Sequence, residues 1–145
     1  MLNEIMLSDS VQAQPIANNS IIFSTIKGGT VADNIRIANA INSPDSLTEV
    51  NPGEIINVVD IICSHGIRKG RNNMPDTPCV NTVFLLEDGS AVFTQSDGVA
   101  RSVSTIATLF PDCGKSQGMP YLPLYIEEKQ LKNGNTLKVV KVYQG

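Results

Sequence analysis

Positively charged side chains are concentrated in two stretches of this sequence, where they could bind phosphate groups. Arg68, Lys69 and Arg71 lie within four residues of one another, and the segment 115–145 contains five lysines but only two glutamates. The whole chain nonetheless has a net charge of −3 and a sequence pI near 5.0. Because this charge gives no global attraction to an anion, a phosphate-binding surface has to be local. The two stretches are the candidates for such a surface.

Aromatic residues near these cations could stack on the bases of a nucleic acid. Side chains alternate between the two faces of a strand, so in the segment 91–95 Phe93 points outward if Val92 points to the core. An outward ring is a platform for a base, worth about 1–3 kcal/mol. A ring beneath the N-terminal helix would be ordinary core, and the sequence leaves both roles open. Tyr125 and Tyr143 are interleaved with the lysines of the last two predicted strands.

Cysteine and histidine residues offer the only other reactive chemistry. His65 is the single histidine, and Cys63 lies two residues before it, on the same side of a predicted strand. The pair could form a nucleophilic dyad, and with Cys79 and Cys113 a zinc site, but no orienting acid motif and no CxxC pair is present. No Walker loop, GxGxxG, GxSxG or HExxH motif occurs. We therefore predict buried thiols, no metal, no cofactor and no catalysis.

The composition favours a β-rich core in a single domain. The 145 residues suffice for one core, and with 41% hydrophobic but only 5% aromatic residues that core must be built from Ile, Val and Leu. The first residues, MLNEIMLSDS, have neither the basic nor the apolar region of a signal peptide, and no apolar run approaches the length of a membrane span. We expect a soluble, cytoplasmic protein with reduced thiols and no membrane contact.

The stretch 54–65, EIINVVDIICSH, is the segment around which the other predicted elements are arranged. Most of its residues are apolar and many are β-branched, which predicts a long, bent strand that is covered on both faces. Asp60 lies within this stretch, where a buried carboxylate is costly unless it is paired. It could be a functional acid, or it could lie at a bend where the outer face of the strand meets water.

The residues before this strand predict an arm, a short strand and a helix. Residues 1–20 are polar, are interrupted by Pro15 and predict a flexible arm. The segment 21–26 predicts a strand, and Thr30 caps a helix that ends before Pro44. The predicted buried stripe of this helix consists of Val31, Ile35, Ala38 and Ile41.

The residues after the long strand complete the predicted fold. The segment 66–79 is rich in glycine, proline and asparagine and predicts a loop that carries the first group of cations. Strands are predicted over 80–86 and 91–95, followed by a helix capped by Ser96 or Asp97. The predicted buried stripe of that helix is Val99, Val103, Ile106, Ala107 and Phe110. A final hairpin covers 121–129 and 136–143.

This order of elements predicts the fold class. Three strands, a helix and two further strands follow one another in a five-stranded oligonucleotide-binding (OB) barrel. We therefore predict a mainly β fold, with residues 21–145 forming a single OB-like domain. Its barrel has a helix between strands 3 and 4 and is preceded by an N-terminal strand and helix.

Four segments of the chain, in this order, resemble a known family: IANAINSPDSL, GEIINVVDII, TVFLLEDGSAVFTQSDGVARSVSTIATLF and LPLYIEEKQLKNGNTLKVVKV. Over roughly residues 20–142 the chain is similar to the small single-stranded DNA-binding proteins of phages and mobile elements of Gram-positive bacteria. The shared pattern is a short helix with an N-x-x-D/S stop, a G-E-x-I-x-V-x-D strand, a hairpin ending in a D-G turn, an S-x-G helix and a lysine-rich final hairpin.

The resemblance implies sequence-independent binding of single-stranded DNA during phage or mobile-element DNA replication, without catalysis. It implies an aromatic strand position for Phe93, the entry of a helix for Ser96 and Gly98, and a basic hairpin for the lysines between 129 and 141. With the loop cations and the tyrosines added, the predicted DNA-binding residues are Arg68, Lys69, Arg71, Phe93, Tyr125, Lys129, Lys132, Lys138, Lys141 and Tyr143.

Partners and an alternative function follow from the same features. Single-stranded DNA is the predicted partner and replication proteins are further candidates, with the cytoplasm of the host cell as the location. An unpaired strand edge near 21–26 or 136–143 would make a homodimer easy to build. The alternative is a phage accessory or structural module that uses the barrel for protein contacts, which the acidic net charge favours.

Overall fold

The computed structural model describes residues 21–42 and 48–145, so the arm predicted for residues 1–20 lies outside the described residues. The strands are β1 (Ile21–Ser24), β2 (Thr48–Glu49), β3 (Ile56–Arg68), β4 (Thr77–Leu86), β5 (Ala91–Thr94), β6 (Leu122–Gln130) and β7 (Thr136–Val142). The helices are α1 (Val31–Asn42) and α2 (Asp97–Leu109), and a 3₁₀ turn covers Lys115–Gln117. The fold is mainly β, and the predicted order of its main elements is confirmed.

The loop predicted over 66–79 is shorter than the sequence indicates. The ladder between β3 and β4 continues as far as the pairing of Arg68 with Thr77. The glycine and proline residues at the two ends of the predicted loop are therefore strand residues, and only residues 69–76 connect the strands. Arg68 accordingly belongs to the rigid end of β3.

The strands form one sheet in the order β2-β5-β4-β3-β6-β7, and β1 also pairs with β3. All pairs are antiparallel except β2 with β5, which are parallel. The predicted five-stranded barrel is not closed. In the described part of the chain β5 and β7, the strands that would have to pair to close it, are not hydrogen-bonded to each other.

Helix α2 lies against the free edge of β7 and explains why the sheet stays open. The backbone N–H of Val140 donates to Oγ of Ser102 at 2.8 Å. Gly98 lies so close to β7 that an added Cβ would overlap the carbonyl oxygen of Lys138. The helix thus occupies the place beside β7 that β5 would need. It also covers part of the 136–143 edge that the sequence offers for a homodimer.

The predicted signals of α2 are confirmed. Oγ of Ser96 accepts a hydrogen bond from the backbone N–H of Val99 at 3.2 Å, which makes Ser96 the N-cap. Val99, Val103 and Ile106 are buried, and Phe110 packs against the same core. Ala107, the fifth residue of the predicted stripe, is only partly buried. Among the described helices, none is long and apolar enough to cross a membrane.

A β-bulge in β3 lets this strand serve two cores. Its pairing with β4 shifts between Val58 and Asp60, so the alternation of side chains changes phase at Val59. Val58 and Ile61 both pack in the larger core, which includes α2, whereas Ile62 packs in the smaller core beneath α1. The prediction of a long strand covered on both faces is therefore confirmed.

Asp60 is buried beside this bulge, with 4% of its surface exposed, and is held by three other segments. Its carboxylate accepts hydrogen bonds from the Thr25 hydroxyl at 2.8 Å, the Arg36 guanidinium at 2.7 Å and the Lys115 ammonium at 3.2 Å. The Thr25 hydroxyl in turn accepts from the backbone N–H of Ile61 at 2.9 Å. The expectation that Asp60 meets water at a bend is wrong, because its charge is compensated inside the protein.

The ion pair between Arg36 and this carboxylate fixes the rotation of α1 and overturns the predicted buried stripe. Arg36 and Ala40 lie one turn apart on one face of the helix, with Ile37 beside them. This face packs on the sheet, where Ala40 is buried and Ile37 is partly buried. Three residues of the predicted stripe face solvent instead: Val31 is 77% exposed, Ile35 is 54% exposed and Ala38 is exposed as well. Only Ile41 packs against the smaller core as predicted.

Replacing Asp60 with Asn should destabilise the fold. The amide keeps the shape but loses the negative charge that two cations bind, so we expect the free energy of unfolding to fall by about 1.5–3 kcal/mol, the value of a charge-assisted hydrogen bond. Urea denaturation would measure it. Asp33→Asn is the matched control, because Asp33 lies 4.0 Å from the same Arg36 but is partly exposed, and such pairs contribute about 0–1 kcal/mol. Equal losses in the two variants would contradict the role of the buried carboxylate.

Candidate functional site

A groove of about 830 Å³ opens where β5 and β7 remain apart. One wall is formed by the end of β3 and the loop 69–76, another by the first turns of α2, and a third by the start of β7. Its lining cations are Arg68, Lys69, Arg71, Arg101 and Lys138, and its lining acids are Glu49 and Asp97. Five cations against two carboxylates make this groove positive, in a chain whose net charge is −3.

Arg68 is held in place by the strands behind it. Its guanidinium donates to the backbone carbonyl of Gln95 and lies 3.6 Å from a carboxylate oxygen of Asp97. The side-chain amide of Gln95 donates to the buried Asn81 at 3.0 Å, which ties the end of β5 to β4. Because a guanidinium has five N–H donors, this fixed Arg68 can still donate toward the groove.

The other groove cations are less engaged. Lys69 lies 3.7 Å from Asp76 and is 85% exposed, and Lys138 lies 4.0 Å from Glu128. Among the residues that the structure describes, Arg71 and Arg101 have no carboxylate within ion-pair distance. These charges can therefore bind an anion without first breaking a strong internal pair.

The loop 69–76 has a defined shape that presents two of these cations. The backbone N–H of Gly70 donates to the Asp76 carboxylate at 2.8 Å. Asn72 and Asn73 adopt left-handed φ angles of 53° and 67° at the tip of the loop, a conformation that asparagine tolerates better than most residues. A Cβ at Gly70 would overlap the carbonyl oxygen of Met74. Glycine is thus required between the two cations for the loop to close.

Four other predicted residues lie on the outer face of the β6–β7 hairpin, which we call the hairpin face: Tyr125, Lys129, Lys141 and Tyr143. Glu127 lies among them, 3.0 Å from Lys141 and 3.7 Å from Lys129. Hydrogen bonding to Lys141 lowers the pKa of the Glu127 carboxyl, and the same contact raises the pKa of Lys141. Both lysine charges on this face are therefore already partly compensated.

The two tyrosines of the hairpin face contact each other edge to face. Their ring centroids are 6.4 Å apart and the ring planes are inclined by 83°. Tyr143 is 43% exposed, whereas Tyr125 is half-buried. Tyr143 thus remains accessible to solvent on a surface distinct from the groove.

The remaining two predicted residues lie apart from both surfaces. Lys132 is exposed in the turn between β6 and β7. Phe93 packs against the smaller core formed by residues such as Ile62 and Val83, beneath α1, which is the second of the two roles that the sequence left open. The structure therefore brings four of the ten predicted residues together in the groove and four on the hairpin face.

Arg101 is the groove residue that sequence reasoning missed. It lies on α2 one turn after Asp97, on the side opposite the buried stripe of Val99, Val103 and Ile106. A usable signal was present, because Arg101 is the only cation of this helix and the helix follows directly on a candidate binding strand. The sequence predicts only a packing role for α2.

The cysteines do not form a reactive site. Cys63, Cys79 and Cys113 are buried thiols, as predicted. Burial raises the pKa of Cys63 and of Cys113 to about 11, so both are protonated at neutral pH, when a thiol is a poor nucleophile. His65 is exposed although it lies only two residues from Cys63. Within residues 21–42 and 48–145 no group of three or more His, Cys, Asp or Glu residues could hold a metal ion.

A mainly β protein with a positive, solvent-open groove on an acidic chain has the features of a protein that binds an extended anion. The family model described as phage single-stranded DNA-binding protein matches residues 16–142. The chain therefore belongs to the phage single-stranded DNA-binding protein family, which confirms the resemblance and supports a role in binding single-stranded DNA in a phage. No curated protein and no solved structure matches the chain.

Gly98→Ala tests whether α2 must approach β7 this closely. Helix propensity alone predicts that alanine stabilises the helix by up to about 1 kcal/mol. The overlap with the Lys138 carbonyl predicts the opposite sign, a loss of about 1–3 kcal/mol from overpacking. Thermal and urea unfolding would measure it, with the exposed Thr105→Ala on the same helix as a control that should be neutral or slightly stabilising. A stabilised Gly98→Ala variant would disprove the contact.

Proposed function

We propose that this protein binds single-stranded DNA without sequence preference during phage DNA replication, and that the groove is its main contact with the strand. The observation that carries this proposal is that five cations line one groove on the open side of the sheet, although the chain as a whole is acidic. The membership of the chain in the phage single-stranded DNA-binding protein family supports it. Contacts to phosphate carry no sequence information, so binding of this kind tolerates any sequence. Catalysis has no part in this proposal.

The groove cations would grip the phosphates of one strand. Arg68 lines the wall formed by β3 and Lys138 lines the wall formed by β7, while Lys69 and Arg71 extend the first wall along the loop. Asp97 sets a condition for binding, because an entering phosphate has to compete with it for Arg68. Affinity should fall as ionic strength rises, because each phosphate that a cation neutralises releases condensed counterions.

The hairpin face would be a secondary contact. Its two lysines share one glutamate, which weakens their attraction for phosphate, but the exposed Tyr143 offers a ring on which a base can stack. Lys132 in the adjoining turn would add a further charge. We assign Phe93 to packing beneath α1 and not to stacking.

The sheet supports an OB-like origin for this site. Taken as β3, β4, β5, β6 and β7, its strands have the order of a five-stranded OB barrel opened between its third and fifth strands. We propose that the open seam is where the strand enters. The cytoplasm of the host cell, where phage DNA is copied, is the proposed location, and replication proteins are the proposed further partners.

Fluorescence anisotropy of a labelled oligothymidine tests the proposal. We expect tight binding that duplex DNA does not displace and that weakens between about 50 mM and about 200 mM salt. If all five lining cations contact phosphates, the slope of log K against log salt approaches about −3.5 for a single strand. Absence of binding at low salt would instead favour the alternative, a module for protein contacts.

A pair of lysine variants tests which surface carries the binding. Lys138→Gln should weaken binding several-fold for every oligonucleotide sequence and reduce the salt slope by about 0.7, because one phosphate contact is lost. Lys141 lies three residues later on the same strand. Lys141→Gln should have a smaller effect, since Lys141 is already bound to Glu127. The same anisotropy titrations measure both. An effect of Lys141→Gln equal to or larger than that of Lys138→Gln would move the main contact to the hairpin face.

A further inference from the structure

Two smaller cavities continue the groove along α2. A cavity of about 370 Å³ shares Asp97 and Arg101 with the groove, and one of about 320 Å³ shares Phe23 and Ser104 with that cavity. We call these two cavities together the α2 trough; its other main lining residues are Ile22, Ala100 and Thr108. The trough follows much of the thirteen residues of α2, a distance on the order of 20 Å.

A β-bulge in β1 shapes the wall of the trough opposite α2. Ile21 pairs with Ser64 and Phe23 pairs with the adjacent Cys63, so Ile22 is an extra residue in the ladder. Neighbouring residues of a regular strand face opposite sides, yet Ile22 and Phe23 both line the trough. Bulges redirect side chains in this way and are frequent beside binding sites.

Phe23 is suited to stacking. Its ring packs against the larger core but remains partly exposed, so one part of it is anchored and another faces the trough. A ring held in this manner loses little conformational entropy when a base stacks on it. Phe23 is therefore an anchored and partly exposed ring, which suits the role of a stacking platform that the sequence leaves open for Phe93.

The charge distribution favours a nucleic acid strand as the occupant. Arg101 lies at the junction of groove and trough, and among the described residues no carboxylate is paired with it. Asp97 lies at the same junction, where its carboxylate is 3.6 Å from the Arg68 guanidinium. Beyond these charged residues the trough is lined by apolar side chains, by the Cys63 thiol and by the side chains of Ser24, Thr25, Ser104 and Thr108. A positive entrance followed by an apolar channel fits a chain that alternates phosphates with flat aromatic bases.

We propose, building on the proposed function, that the α2 trough is a second segment of the DNA path. Arg101 holds a phosphate where the strand leaves the groove, and Phe23 stacks on a base of the nucleotides that follow. The protein then covers more nucleotides than the groove alone accommodates. This assigns a binding role to two residues outside the hairpin and the loop.

Binding to oligothymidines of increasing length, from about 4 to about 16 nucleotides, tests this proposal. In the unmodified protein, affinity should rise once the oligonucleotide is long enough to pass from the groove into the trough. The gain expected from one base on one ring is between about fivefold and about 150-fold. Anisotropy at constant salt gives the affinity at each length.

Ser104→Leu is the decisive variant because it fills the trough with a side chain that favours helices and cannot stack. It should abolish the gain for long oligonucleotides and leave the affinity for short ones unchanged. Thr105→Leu, an exposed neighbour on the same helix that does not line the trough, is the matched control and should keep the gain. Phe23→Leu should lose the same gain, and circular dichroism would confirm that each variant is folded.

The outcomes separate this proposal from the proposed function. If Ser104→Leu binds every length as the unmodified protein does, while Lys138→Gln is impaired, the trough is not part of the path but the groove still binds DNA. If the unmodified protein binds no oligothymidine of any length, the proposed function fails and the trough proposal fails with it. A gain that Ser104→Leu removes and Thr105→Leu retains would establish the second segment.

Discussion

The buried carboxylate of Asp60 is the interaction on which the arrangement of the other elements depends. A charge removed from water is tolerated only when partners compensate it, and loss of one partner leaves it exposed to a large desolvation penalty. The partners of Asp60 come from the turn after β1, from α1 and from the 3₁₀ turn before β6. These segments are distant in sequence, and they must all meet at the bulge of the central strand for the charge to be satisfied. The bulge in β3 therefore bends the strand and also places Asp60 where these three segments can bind it.

Helix α2 then determines what kind of opening the sheet has. Its buried stripe packs in the larger core, its Ser102 satisfies a backbone N–H of β7, and its exposed side contributes Arg101 to the groove. The three roles fall on different sides of one helix. The position of the groove thus follows from the way in which the helix covers a strand edge, and the cations are arranged around that opening.

The elements that local signals determine could be predicted from the sequence, and those that depend on distant contacts could not. The caps at Thr30 and Ser96 and the buried stripe of α2 are confirmed, because each rests on residues within a few positions of one another. The rotation of α1 was predicted wrongly because hydrophobic spacing contains no information about an ion pair between residues 24 positions apart.

The candidate site likewise has features that local sequence signals determine and features that depend on distant contacts. The alternation of side chains along a strand is enough to place Lys138 and Lys141 on opposite faces of β7. That one of them lines the groove while the other is bound to Glu127 depends on tertiary contacts, which the sequence does not contain. The open seam was also beyond the sequence, since it depends on the fit of Gly98 against a carbonyl of β7. Family membership, in contrast, was recognisable because it rests on the order of many short patterns over most of the chain.

The seam between β5 and β7 also has a mechanical consequence. In the described part of the chain no main-chain hydrogen bond joins these two strands, so moving them apart strains side-chain contacts before it breaks any rung of the sheet. A wall made of continuous ladder would be stiff and would accept only one width of ligand. A gap between two strands that share no ladder is more compliant, and under the proposed function it would admit a purine or a pyrimidine at a similar elastic cost. Binding without sequence preference would then have two causes: the groove makes no contacts that distinguish the bases, and the gap between β5 and β7 adjusts its width to each base at little cost.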